Sequence, residues 1–289
     1  MSLMDPLSRM LFFVFLITSM LGIGLSVSWG AIVATLRKTG LMIRSLLVNF
    51  VVVPLLGLLF IRLFPMRPEV ALAFLFLACA PGGLSAIQFT SKDKEALAFA
   101  GALATSLTFL SIFISPLLIT LFLPPGLPLA VPYARAFWFV VLFLILPLVV
   151  GILLHNRMQA LATKLAKILS LIGTISFVAV IILTMSVKKE AQAAAGSEAQ
   201  GIMLLFIVIV MLIGWFMGGP KKGNREVLAT ASSMRNIALC LAIVLTSFPD
   251  RGVEANLIAF VALMIPVNMV FTVGGSIIDK IRAKRQKGK

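Results

Sequence analysis

The sequence predicts an all-α polytopic membrane protein of about nine spanning helices, each about 20 residues long. Three observations predict it: the apolar content, the scarcity of charge, and the recurrence of long apolar stretches between short polar gaps. Of 289 residues, 61% are apolar and 12% charged, where a soluble domain carries about 25% charged residues. The mean hydropathy is +1.12. Nine spans need roughly 180 to 200 residues, which the chain supplies with only short loops left over. A net charge of +15 and a pI near 10.7 are values met in nucleic-acid binders. The hydropathy excludes that class, so the expected partner is the lipid bilayer and not a nucleic acid.

The spans are read at 10–34, 41–64, 69–91, 97–123, 133–154, 167–186, 201–218, 225–248 and 255–278. The first loosens near Ser26–Gly30, where SVSWG is less apolar. Asp5, a weakly basic start and no clear small-residue cleavage site favour a retained helix over a signal peptide. No segment resembles a soluble domain. Residues 1–289 form a single transmembrane domain, with halves at 8–124 and 131–279 and a basic tail at 279–289.

Charge sets the orientation. With the C-terminus in the cytoplasm, the inner loops carry Arg37, Lys38, Arg44, Lys92, Lys94, Arg157, Lys164, Lys167, Lys221, Lys222 and Arg225. The tail adds Lys280, Arg282, Lys284, Arg285, Lys287 and Lys289, giving seventeen basic residues inside. Seven lie outside: Arg9, Arg62, Arg67, Arg135, Lys188, Lys189 and Arg251. The positive-inside rule therefore puts the N-terminus outside and the C-terminus in the cytoplasm, in a bacterial-type cytoplasmic membrane. Tyr133 and Trp138 near one face and Trp215 near the other suit an aromatic belt.

Several chemistries are excluded. The one histidine, His155, allows no multi-histidine metal site. Cys79 and Cys240 lie in apolar stretches and read as small buried hydrophobes. There is no pair of intramembrane carboxylates and no Ser–His pair, so no enzyme and no cofactor are expected.

Arg235 is the one ionisable residue in mid-span, within LATASSMRNIALCLAIVL. An arginine at a helix centre costs about 2.5–3.5 kcal/mol on insertion scales. All ten acidic residues lie in termini, loops or span ends, so no fixed carboxylate is its evident partner. Carbonyls at a helix break, water or an anionic substrate can match it; the alternatives are snorkelling or a purely structural contact. Ser232, Ser233 and Asn236 around it can satisfy backbone groups freed by unwinding. A second break lies in the third span at Pro81, Gly82 and Gly83, followed by Ser85 and Gln88. Proline removes a donor and glycine loosens the helix.

The two breaks lie five spans apart, and an odd offset places the segments in opposite orientations. Interrupted helices at matching positions of two halves point to a transporter site at the midplane. Asn49, isolated in the second span, is a candidate lining residue. So are Thr108, which shares a face with Thr105 and Ser111, and Asn268, two residues after Pro266. Each alone serves equally as helix–helix glue.

These segments resemble the bile acid:sodium symporter family. The resemblance runs from MLGIGLS in the first span, through ACAPGG and SPLL, to SSMRNIALCLAIVL and VNMVFTVGG. It implies nine or ten helices, here the nine-helix form, in two inverted repeats. A panel domain would pack on a core domain in which two broken helices cross. It also implies secondary transport of organic anions, usually driven by sodium. The family's sodium ligands carry over poorly. The Glu of its E-x-G-x-Q-N segment falls on Ala231 and the Gln on Arg235, while the Asn is kept as Asn236. A Ser–Asn pair after PGG becomes Ala86–Ile87. A Ser and a Thr in the next span fall on Ala104 and Thr108, in an alignment that needs an insertion before Ala102. A Gln becomes Asn49, and an Asn near the substrate cavity is matched by Asn268.

A sodium site needs oxygen ligands, and a guanidinium beside a sodium ion would repel it. The expectation is a sodium-independent secondary transporter in which Arg235 replaces the ion. Its substrate would be a bile-acid-like, keto-acid, hydroxy-acid or sulfonated anion. The substrate-binding set is Arg235, Asn236, Ser232, Ser233, Ser85, Gln88, Asn49, Thr108 and Asn268, with sodium absent from the family sites. The rivals are a sodium:organic-anion symporter using relocated ligands, and a non-transporting membrane sensor or scaffold. The sequence leaves the oligomeric state undetermined.

Overall fold

A computed structural model describes residues 6–26, 28, 30, 39–82, 94–123, 138, 141–187, 189–247 and 252–287. The described residues are helical almost throughout, as an all-α membrane protein requires: with no water in the bilayer core, backbone groups must be satisfied within the segment. The first helix, α1, covers Pro6–Ser26. Then come α2 (Thr39–Leu47), a π-helical segment (Val48–Val52) and α3 (Val53–Leu63), which together make one span. Helix α4 covers Pro68–Cys79, the first part of the stretch read as the third span, and α5 covers Lys94–Phe122.

A second π-helical segment (Val141–Ile145) leads into α6 (Leu146–Arg157), and α7 covers Gln159–Val187. Helix α8 covers Lys189–Met217 and is broken at Gly196, whose φ is 76°. The stretch read from the sequence as the eighth span is split into α9 (Lys222–Ser233) and α10 (Ile237–Ser247). The last helix, α11, covers Val253–Lys287.

Among the described residues, Gly40–Leu63, Gly196–Met217 and Val253–Gly275 are long and apolar enough to cross a membrane. Ala102–Ser111 and Phe113–Phe122 make a further pair, bent by 53°. Pro116 lies one turn beyond that bend and cannot donate to the carbonyl of Ile112, which accounts for it. Lipid-facing rows are visible in the exposure. Leu47, Val51, Leu55, Leu59 and Leu63, each four residues apart, are all exposed, as expected of an apolar stripe whose solvent is hydrocarbon.

Several boundaries differ from the sequence reading; the stretch from Lys189 to the span read as starting at 201, for one, is helical apart from Gly196. The stretch 155–166, read as a loop because of its charges, is helical except at Met158, the single residue between α6 and α7. Ala, Leu, Lys and Gln in QALATKLAKI are strong helix formers, and their propensity outweighs the charge signal. The basic tail is likewise helical as far as Lys287.

The helices pack in two groups. Helix α1 lies along α6 and α7. Gly24 and Gly151 bring α1 and α6 so close that a Cβ on either would come within 2.8 Å of the other's Cα. Helices α3, α4, α5, α8, α9, α10 and α11 pack on one another. Their centre holds Phe60, Phe74, Phe206 and Phe260, from α3, α4, α8 and α11. Phe74 lies edge-on to Phe206 at 5.2 Å and to Phe260 at 5.9 Å. Such edge-to-face pairs add about 0.5–1.5 kcal/mol each beyond area burial. This packed group holds both interrupted spans.

Candidate functional site

Helix α4 ends at Cys79 because Pro81 cannot donate and Gly82 adopts a left-handed φ of +71°. A Cβ on Gly82 would come within 2.6 Å of the Leu107 Cβ on α5, so a glycine is required there twice over. Helix α9 ends at Ser233, and Met234 turns extended with ψ 116°. Asn236 then starts α10, its Oδ1 accepting the N–H of Leu239 at 3.1 Å. That is an N-cap, for which asparagine is among the best residues.

The two interruptions meet. Pro81 and Arg235 form an antiparallel bridge, and the N–H of Asn236 donates to the carbonyl of Ala80 at 2.9 Å. The last carbonyls of α4 and α9 therefore converge on one place, each at the negative end of a helix dipole.

The Arg235 side chain fills that place and is 2% exposed. Its Nε donates to Leu77 O at 2.8 Å and its Nη2 to Ala78 O at 2.6 Å. Its Nη1 donates to Ser232 O at 2.9 Å and to Asn49 Oδ1 at 3.2 Å. Four of the five N–H groups of a guanidinium are thus engaged. Hydrogen bonds to charged groups contribute about 1.5–3 kcal/mol each, enough together to offset the insertion cost of the charge. The backbone N–H of Arg235 points to Met264 Sδ at 3.1 Å.

Polar side chains from the π-helical segment, α9 and α11 hold this cage. Asn49 lies in the π-helical segment, where its Nδ2 donates to Ser45 O at 2.9 Å and to Ser232 Oγ at 3.2 Å. Ser233 Oγ donates to Asn268 Oδ1 at 2.8 Å, and Asn268 Nδ2 to Met264 O at 2.9 Å. All of these residues are buried.

Of the sequence-derived set, the structure brings together Arg235, Asn49, Ser232, Ser233, Asn236 and Asn268. Thr108 on α5 is buried, and its hydroxyl has no partner among the described residues; the same holds for Ser106 Oγ and Asn236 Nδ2. Ser85, Gln88 and Gly83 lie outside the described residues. The sequence reading missed Leu77 and Ala78, which act through main-chain carbonyls; the only signal was that a helix broken by a proline leaves such carbonyls free. It also missed Ser45 and Met264. Arg225, read only as a loop cation, donates from Nε to Gly219 O at 2.5 Å and sits 6.0 Å from the Trp215 ring.

The chain is 25% identical over 240 residues to the uncharacterized sodium-dependent transporter YocS of Bacillus subtilis (strain 168). That match covers 81% of this chain and 74% of the relative. The sodium bile acid symporter family matches residues 13–195, more than half of the chain. An all-α chain with interrupted spans, matched over that range, belongs to the sodium bile acid symporter family of membrane transporters.

Proposed function

We propose that the chain is an alternating-access transporter of small organic anions that works without sodium, Arg235 standing where relatives hold the ion. One observation carries this reading. A guanidinium, and not an open cavity, is bonded to the carbonyl ends of both half-helices and to Asn49. Half-helix C-terminal ends and unwound carbonyls are where transporters of this architecture coordinate cations. A fixed cation there satisfies the same carbonyls and repels a mobile one.

The anion preference is supported from the other side of the junction. Helix α10 presents its positive N-terminal end beside Asn236, whose Nδ2 is buried with no partner among the described residues. A donor of that kind at a helix N-terminus favours an anionic group. Arg235 acts on the substrate through its field and through the shape of the junction. Asn236, Thr108, Ser85 and Gln88 are the candidates for direct contact. Bile-acid-like, keto-acid, hydroxy-acid and sulfonated compounds carry the required charge.

The proposal includes nine helices in inverted halves at 8–124 and 131–279. The group of α1, α6 and α7 forms a panel, and the remaining helices a core. The N-terminus is outside and the C-terminus in the cytoplasm. Most helix contacts fall within one group or the other, which supports a rocking motion between them. Uptake of labelled organic anions into proteoliposomes, in sodium and in choline, tests the reading. Flux independent of sodium is expected; a strict sodium requirement with saturable sodium binding overturns it.

A second reading keeps sodium symport of the same substrates. It is favoured by Thr108 Oγ1 and Ser106 Oγ, two buried oxygens on α5 without partners, and the same uptake experiment separates the two.

A further inference from the structure

Helix α7 carries a polar row where a membrane helix is expected to be apolar. Thr163, Lys167, Ser170 and Thr174 are all exposed. At 3.6 residues per turn they fall within an arc of about 60° and extend for about 16 Å along the axis. On one flank lie the buried positions Ala162, Ala166 and Gly173, which face α1; on the other lie exposed Ile168, Leu171 and Ile175. A polar row at the edge of a lipid-facing surface needs a polar neighbour.

The row forms one wall of a groove of about 580 Å³, closed by Leu25 and Ser26 of α1 and by His155 of α6. The Thr163, Thr174 and Ser26 hydroxyls donate back into their own helices, to Gln159 O, Ser170 O and Gly22 O, each at 2.8 Å. His155 Nδ1 lies 2.7 Å from Leu25 O. A carbonyl can only accept, so Nδ1 donates there and Nε2 is the ring's other polar atom. The Lys167 ammonium is left as the strong donor lining the groove.

None of the three helices around it contains an Asp or Glu, and the chain has no acidic residue between Glu95 and Glu190. Arg157 and Lys164 follow the lining residues His155 and Thr163 closely in sequence and add positive charge. The groove lies beside the corner where α6 passes into α7 through Met158. Exposed Ile168, Leu171, Ile172 and Ile175 continue from it along α7.

We infer that this groove binds the phosphate headgroup of an anionic phospholipid, with Lys167 on the phosphate and the acyl chains along the Ile168–Ile175 face. A cationic, carboxylate-free pocket at helix ends, continuous with an apolar exposed face, matches an amphiphile more closely than a free anion. The site is separate from the junction at Arg235, since none of that residue's partners lines it.

The test uses the full chain in phosphatidylcholine nanodiscs doped with phosphatidylglycerol, read by native mass spectrometry and thermal unfolding. Retained phosphatidylglycerol and a raised Tm are expected. Lys167→Gln should lower retention roughly fivefold, as for the loss of one cation near an anionic headgroup. Lys167→Arg should preserve retention, and Lys221→Gln should leave it unchanged. Ser170→Trp, which fills the groove, should match Lys167→Gln and decides the outcome if that variant fails to fold. Undiminished retention in both Lys167→Gln and Ser170→Trp overturns the inference. So does inorganic phosphate producing the same rise in Tm.

Discussion

Asn236 donates its backbone N–H to the carbonyl of Ala80 at 2.9 Å, so the two interrupted spans touch main chain to main chain, 156 positions apart in sequence. The contact is short and carries no side chain. Geometry at this point is therefore set by how each helix ends: by Pro81 and Gly82 in one, by Met234 and the Asn236 cap in the other.

Replacing Arg235 by alanine removes the donor from the carbonyls of Leu77, Ala78 and Ser232. Each buried acceptor left bare costs about 1–3 kcal/mol. The expected result is a markedly lower Tm and loss or strong reduction of anion flux in reconstituted vesicles. Arg235→Lys should recover little, because an ammonium is a point charge with three donors and cannot reproduce the planar fork. Normal flux in Arg235→Ala would assign the residue to structure alone.

Sodium should leave the wild-type Tm where choline leaves it. Arg235→Gln vacates a position ringed by carbonyls, and its Tm should rise with sodium, since a ligand that binds only the folded state stabilises it. Equal sodium responses in the two proteins would place any sodium site away from the junction.

Gly82→Ala combines two costs. A left-handed φ costs an L-residue about 1–2 kcal/mol, and the new Cβ meets Leu107. A loss of about 2–4 kcal/mol is expected by denaturant or thermal unfolding, with overpacking supplying the remainder. Because the closest atom is the Leu107 Cβ, which alanine keeps, Leu107→Ala in the same background should not restore the loss. A neutral Gly82→Ala would mean that the junction relaxes freely.

Ser233 and Asn268 tie α9 to α11 through a 2.8 Å hydrogen bond. A double-mutant cycle with Ser233→Ala and Asn268→Ala should give a coupling of about 1 kcal/mol. Additive effects would show that the bond contributes nothing beyond packing.

Gly151→Val should destabilise the contact between α1 and α6, because a Cβ there lies 2.8 Å from Gly24 Cα. Backbone against backbone cannot yield cheaply, so a loss of about 1–3 kcal/mol is expected. The sodium response should be unaltered, since the contact lies in the other packing group. A changed response would reveal coupling between the groups.

The helical membrane class was legible because apolar runs announce themselves, and Arg235 because a charge inside such a run stands out. Its partners were less legible. Leu77 and Ala78 contribute carbonyls, and a carbonyl leaves no mark on residue type. Asn49 was visible as an isolated polar residue, but not the π-helical segment that carries it. The start of α7 was misread because Lys164 and Lys167 looked like loop charges, whereas a helix at the edge of a bilayer carries lysines readily. The polar row on α7 was present in the spacing 163, 167, 170, 174 and became meaningful only with α1 and His155 placed beside it.

A dissolved ion visits a site and departs, carrying its charge to one side of the membrane. The guanidinium between Leu77, Ala78 and Ser232 is covalently part of the chain and makes no such journey. After any full cycle its position is restored, and no net charge has crossed on its account. Under the proposed sodium-free reading, a transport cycle built around it takes no drive from an ion gradient at that position, and an anion's flux follows its own electrochemical gradient.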